Sequence, residues 1–268
     1  MSTAGVVAAR LVRGTAASVP PGDILWAPNE PAGYTLIGDS TFTVGEEPED
    51  FDIATSADFP VRQPAVVEYA GPFGSASYRT RYPSGLTDGD VSFMYQRSTP
   101  SGATEVYAST AHRTSSPFVQ ESSETKLFYP SQISFGMAPY GDTDSGLYTF
   151  KATSYPDGGG DSSVGHNIAP SYICQNGVWY MVEVQIIRGT PGGNDSVVRC
   201  WLSAWDGAQF PTPTLVMETT TMRIAGPAQS AAFAGLDFKQ YRGGAGSPTL
   251  SAEQFTYCNR VRLAYKAA

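Results

Sequence analysis

Hydrophobic and polar residues alternate along short runs of this chain with a period of two, and clusters of Gly, Pro, Asp and Ser end each run. Successive side chains of an extended strand point to opposite faces, so such a run buries one face and wets the other. Runs of this kind lie at 65–69, 77–82, 91–96, 105–110, 126–129, 132–137, 147–152, 180–187, 197–205, 215–223, 232–240 and 253–265, the last read as interrupted. Almost no segment carries the period of an amphipathic helix. Many short strands between turn signals predict an all-β sandwich or barrel of antiparallel strands. "YPDGGGDSS" (155–163) and "RGGAGSP" (242–248) read as exposed loops.

The stretch "GVWYMVEVQIIRGTPGGNDSVVRCWLSAWDG" (177–207) shows the pattern at its clearest. In its first run Val178, Tyr180, Val182, Val184 and Ile186 share one face, and Trp179, Met181, Glu183, Gln185 and Ile187 share the other. In the second, Val198, Cys200, Leu202 and Ala204 oppose Val197, Arg199, Trp201, Ser203 and Trp205. The Gly/Pro-rich break predicts a long hairpin loop. Pairing Ile187 with Val197 sets Gln185 against Arg199, Glu183 against Trp201 and Met181 against Ser203. The aliphatic faces then build the core, and the face rich in Trp, Glu, Gln and Arg turns outward.

The 268 residues suffice for one large β domain, placed at 26–268 behind an arm of residues 1–25 that ends at Pro20-Pro21-Gly22. The charge is −8, from 17 basic and 25 acidic residues, and no Lys/Arg cluster is long enough to track a phosphate backbone. Nucleic acid is therefore excluded as an expected partner. No apolar run reaches the length of a membrane span. The apolar piece 4–9 is too short for an export signal, and Arg10 and Arg13 follow it rather than precede it, so the expected place of synthesis is the cytoplasm. Cys174, Cys200 and Cys258 form no CxxC pair, which favours structural thiols over a disulfide framework or zinc site; a Cys174–Cys258 bridge stays open.

Several phrases, taken in order, resemble a group of jelly-roll domains from bacteriophage and metagenomic proteins with the concanavalin A-like lectin/glucanase fold. They are "EPAGYTLIGDSTFT" (30–43), "SYRTRYPSG" (77–85) and "KLFYPS" (126–131), followed by Gly177, Trp179 and Glu183 on one strand and Arg199, Trp201, Asp206 and Gly207 on the next. The chain departs from the pattern where "WLSAWDG" inserts Ala204 and Trp205 before the Asp-Gly turn. The resemblance implies a sandwich of two curved antiparallel sheets with a concave, often glycan-binding surface. Through its phage context it also implies a virion accessory protein, a decoration, fibre or tail component.

Indole faces stack on sugar rings while neighbouring polar groups serve the hydroxyls, so Trp179, Glu183, Gln185, Arg199, Trp201 and Trp205 are the candidate glycan-binding residues. The same residues also suit packing, with Glu183 and Arg199 as a cross-strand ion pair. Glycosidases need two carboxylates about 5–9.5 Å apart. Glu183 has Met181 and Gln185 as its same-face neighbours, so it stands alone. In jelly-roll lyases a Q-I-H or Q-V-H strand carries the proton-handling His; "SQISFG" has Ser134 there. His112 and His166 read as solvated. Asp142 and Asp144 in "YGDTDSG" are the weak candidates for Ca²⁺, with a plain turn as the better reading, so no cofactor is expected.

These observations lead to an expected non-enzymatic virion protein. It would be made in the host cytoplasm, partnered by capsid or tail proteins and by itself as a homo-oligomer such as a trimer, and would stabilise the particle or adhere to surface glycans. The alternative is a lectin, or a polysaccharide lyase or glycosidase-like enzyme, using the concave face.

Overall fold

The computed structural model describes residues 26–42, 52–54, 62–66, 71–74, 76–86, 91–99, 102–120, 125–130, 133–155, 165–167, 172–228, 230, 232–233, 235–242 and 249–268. The expected arm, 1–25, lies outside the described residues, as do 156–163 and 243–248 of the two expected loops.

Numbered in chain order, the strands form two sheets in which every pairing is antiparallel. The first runs β14 (Thr214–Met222), β13 (Ser196–Ala204), β12 (Tyr180–Ile187), β6 (Ala103–Thr114), β16 (Gln254–Ala267), β4 (Ser77–Tyr82), β3 (Arg62–Val66), with β1 (Thr35–Thr41) also on β16. The second runs β10 (Gly165–Asn167), β9 (Leu147–Ser154), β8 (Ile133–Pro139), β7 (Thr125–Tyr129), β15 (Gly235–Arg242), β5 (Val91–Ser98), β2 (Asp52–Ala54), with β11 (Cys174–Gln175) on β9. Among the described residues there is no helix. Of the sandwich or barrel that its alternation predicts, the chain is the sandwich, with the jelly-roll form that the resemblance implies.

The expected 180–187/197–205 ladder is present with the expected register: Ile187 opposite Val197, Gln185 opposite Arg199, Glu183 opposite Trp201 and Met181 opposite Ser203. The run at 253–265, expected to be interrupted, is one strand of 14 residues. Its ladder slips between Cys258 and Arg260. At the slip the Asn259 side chain takes over the missing backbone bonds: Nδ2 donates to Ala76 O at 2.6 Å, and Oδ1 accepts from Phe73 N–H at 2.6 Å. On the far edge of β16 this divides the partners, with β4 pairing before the slip and β1 after it.

Between the sheets, Val182, Val184 and Ile186 of β12 and Val261 and Leu263 of β16 meet Phe128, Phe135, Phe150 and Phe238 of the second sheet. Phe135 and Phe150 stack at 5.4 Å between ring centroids. Cys174, Cys200 and Cys258 are free and buried in this core, which closes the option of a Cys174–Cys258 bridge. Burial pushes the Cys258 thiol up to about 12. His112, expected to be solvated, is fully buried. It occupies a core-facing position of β6, with Nε2 3.1 Å from Met137 Sδ, and desolvation lowers its pKa to about 3, so the ring is neutral. The side chain of His166 lies outside the description.

Residues 26–34 lie over part of the outward face of the first sheet, and β1 then joins the sheet beside β16. Glu183, fully buried, anchors the cover. Its Oε1 accepts from Trp26 Nε1 at 2.9 Å and Asn29 Nδ2 at 3.3 Å; its Oε2 accepts from the Asn29 backbone N–H at 2.7 Å and from the Tyr107 hydroxyl. Burial raises the pKa of Glu183, and these donors oppose the rise. Arg260 grips Asp39 with two bonds, Nε to Oδ1 at 2.7 Å and Nη2 to Oδ2 at 2.6 Å, and Arg262 joins Asp39 to Glu30. The Arg260 guanidinium also lies 5.0 Å from the ring centroids of both Trp26 and Phe73.

Two predictions follow from this covering. Glu183→Gln leaves four donors facing an amide that brings donors of its own, and is expected to lower unfolding stability by about 2–4 kcal/mol in urea denaturation. For Asp39, desolvation pushes the pKa up, but Arg260 and Arg262 outweigh it and hold the carboxyl below its usual value. Its stabilising effect is therefore complete above the ordinary carboxylate range and disappears as pH falls through the lowered folded-state value. Asp39→Asn is expected to cost about 1–2 kcal/mol at neutral pH and much less in strong acid, as read from melting curves across pH.

Candidate functional site

The six residues expected to bind a glycan do share the outward face of the first sheet at the β12/β13 ladder or next to it. Access divides them. Trp179, Glu183 and Gln185 are buried, whereas Arg199, Trp201 and Trp205 are half-buried. Glu183 has no bond to Arg199. Arg199 instead donates to Glu218 through Nε at 2.7 Å and to Gln185 through Nη1 at 2.9 Å. Gln185 passes the chain of bonds on to Tyr34, and Tyr34 to Glu105. Trp179 and Trp205 join Trp26, Met181, Phe210 and Tyr257 in a small apolar cluster outside the main core. Four donors saturate Glu183, so it has no lone pair directed at a ligand.

The outward face of the second sheet is built differently. On β7, Lys126 and Tyr129 are three residues apart yet face the same way, because the β7/β8 register slips between Lys126 and Phe128 and absorbs Leu127. Lys126 stands opposite Gly136, and Gly136 stands opposite Lys151 of β9. A Cβ at Gly136 would lie 2.4 Å from Thr125 O, so the position has to be bare backbone. It leaves a floor without side chains between two lysines, with the flanking strands about 10 Å apart.

Tyr155, directly after β9, closes the group. The Lys126 ammonium lies 5.2 Å from the Tyr129 ring centroid and 5.7 Å from that of Tyr155, and the two rings are 6.5 Å apart. The buried Ser134 hydroxyl donates to the Tyr155 hydroxyl at 3.4 Å, the outer limit of such a bond. Ser134 thus stands beside a phenol at the position where the resemblance to jelly-roll lyases places a histidine. The cluster brings together cations that suit a carboxylate, phenols that can give or take a proton, and aromatic surface for a sugar ring. Sequence reading missed it because the bulge breaks the period of two at Lys126 and because Tyr155 was assigned to a loop.

Asp142 and Asp144 lie in a turn closed by a bond from Ser145 N–H to Asp142 O at 3.1 Å. They line a surface depression of about 670 Å³ with Val119, Thr249 and Ser251. Among the described residues, no group of three or more His, Cys, Asp or Glu side chains is placed to hold a metal.

No protein-family model matches the chain. No curated protein matches it in sequence either. Solved structures do match in fold. The PL-14 alginate lyase from Aplysia kurodai is 12% identical with a TM-score of 0.56, covering 85% of this chain and 98% of its own. The alginate lyase Aly36B is 16% identical with a TM-score of 0.51, covering 72% and 81%. A double mutant of Aly36B in complex with an alginate trisaccharide matches at 15% identity and a TM-score of 0.52, covering 73% and 83%.

These matches overturn the expectation of a non-enzymatic virion accessory protein. Alginate lyases match this fold with TM-scores above 0.5, and that is the finding that counts against the non-enzymatic reading. The chain has the concanavalin A-like jelly-roll fold, two curved antiparallel sheets, that it shares with these alginate lyases.

Proposed function

We propose that this chain is a polysaccharide lyase and that it cleaves a uronate-containing polymer on the outward face of its second sheet. One observation carries the reading: an ammonium, Lys126, set against two phenols, Tyr129 and Tyr155, beside a bare glycine floor. The alginate lyases of the same fold support it.

The chemistry suits such a polymer. The proton on C5 of a uronate is acidified by the neighbouring carboxylate only when the negative charge of that group is neutralised, and Lys126 supplies the cation. Tyr155, with a serine hydroxyl donating to its oxygen and an ammonium over its ring, is the better placed to act as a phenolate base. As Tyr155 takes the C5 proton, the C5–H electron pair forms the C4=C5 double bond. The C4–O4 bond breaks, and Tyr129 donates its proton to the departing O4. The products are a shortened chain and an unsaturated uronate, with no water consumed. Lys151, across the Gly136 floor, is placed to pair with the carboxylate of a neighbouring sugar.

Incubation with alginate, followed through the ultraviolet absorbance of the new double bond, tests this. The native chain is expected to form product, and Tyr155→Phe to lower the rate by about 10²-fold or more with an unchanged melting temperature. Lys126→Met should lower kcat/KM to a similar extent. Absence of new absorbance with alginate and with other uronate polymers refutes the proposal.

A further inference from the structure

The outward face of the first sheet carries a second group of cations and aromatic rings, joined to the Glu183 anchor through Trp26. Tyr257 of β16 pairs with Arg113 of β6 on one side and with Arg79 of β4 on the other. Trp179 extends the row, because the next residue, Tyr180, pairs with His112. Its ring lies 6.5 Å from that of Tyr257, and Phe255 and Trp205 border the group. The Arg79 guanidinium sits 4.4 Å from the Phe255 ring centroid, and that of Arg113 sits 5.7 Å from Tyr257.

Among the described residues, Arg113 lacks the carboxylate partner that four other arginines of the chain have. Arg81 meets Glu253, Arg199 meets Glu218, Arg260 meets Asp39, and Arg262 meets both Asp39 and Glu30. Arg113 meets no carboxylate among the described residues, and its buried Nε has no acceptor. In a chain with a net charge of −8, acidic partners are plentiful, yet this guanidinium lies over the Tyr257 ring without one.

We propose that Arg113, with the half-buried Phe255 and Trp205 beside the packed Trp179 and Tyr257, forms a second, non-catalytic binding site for a carboxylated saccharide, independent of the lyase reading. The guanidinium fork pairs with the sugar carboxylate, and the aromatic edges receive the apolar face of the ring. An extended peptide is the poorer fit. Arg113 and Tyr257 lie on interior strands whose backbone groups are already used by ladders on both sides, so no free edge offers strand addition.

Affinity electrophoresis of the full chain in gels containing alginate, with dextran gels as the neutral control, tests this site. The parent is the Lys126→Gln variant, which keeps the polymer uncut. Adding Arg113→Gln is expected to weaken alginate retardation roughly tenfold and to leave mobility in dextran unchanged. If Arg113→Gln melts early, Arg113→Lys, which keeps the charge but loses the fork, must show a loss as well. Where the native chain forms double-bond product from short alginate oligosaccharides, Arg113→Gln alone should form it at the same rate, which separates this site from the cleavage face. Equal retardation with and without Arg113, no retardation of the parent in alginate, or displacement by poly-glutamate as effective as by alginate oligosaccharides overturns the proposal.

Discussion

The carboxylate of Glu183 has to be satisfied where it lies. It occupies an interior strand of the first sheet, fully buried, and a buried carboxylate without donors costs several kcal/mol. Only the Tyr107 hydroxyl comes from the sheet itself; the other three donors belong to Trp26 and Asn29. Residues 26–30 are therefore drawn across the sheet, and Arg260 and Arg262 fasten the following segment through Asp39 and Glu30. A side chain that the sequence offers as a candidate glycan ligand holds one layer of the fold in place.

This division gives the two sheets different roles. In the first, arginines, carboxylates and tryptophans are mostly spent on one another, and the half-buried polar chain from Arg199 to Glu105 knits the covering segment to the strands. In the second, one bulge turns Lys126 and Tyr129 to the same side, and one glycine excludes a side chain from the space beside them. Both devices act on the backbone, and together they gather a cation, two phenols and a hydroxyl beside a strip of sheet bare of side chains at Gly136.

Kinship of fold and evidence of chemistry remain separate. The alginate lyases share the arrangement of strands at 12–16% identity, a level at which side chains are free to differ. The lyase reading accordingly rests on Lys126, Tyr129, Ser134 and Tyr155 themselves. Where the resemblance to jelly-roll lyases calls for a histidine, this chain has Ser134, so the proton work passes to the phenols.

Alternation determined the all-β class and most of the strands, and it excluded a one-residue slip of the 180–187/197–205 ladder, which would have turned Val182, Val184 and Ile186 out of the core. It also determined that Glu183, Trp201 and Arg199 share a face. Whether that face is open was decided only by the tertiary structure, since the covering residues lie some 150 positions earlier in the chain. The burial of His112 followed the same logic: a polar residue at a core-facing position looks solvated until the opposite sheet is in place. The Lys126 cluster depended on a bulge and on strands that meet through the sheet, and neither leaves a period in the sequence. Local patterning sets which way each side chain faces, whereas long-range packing sets what stands in front of it.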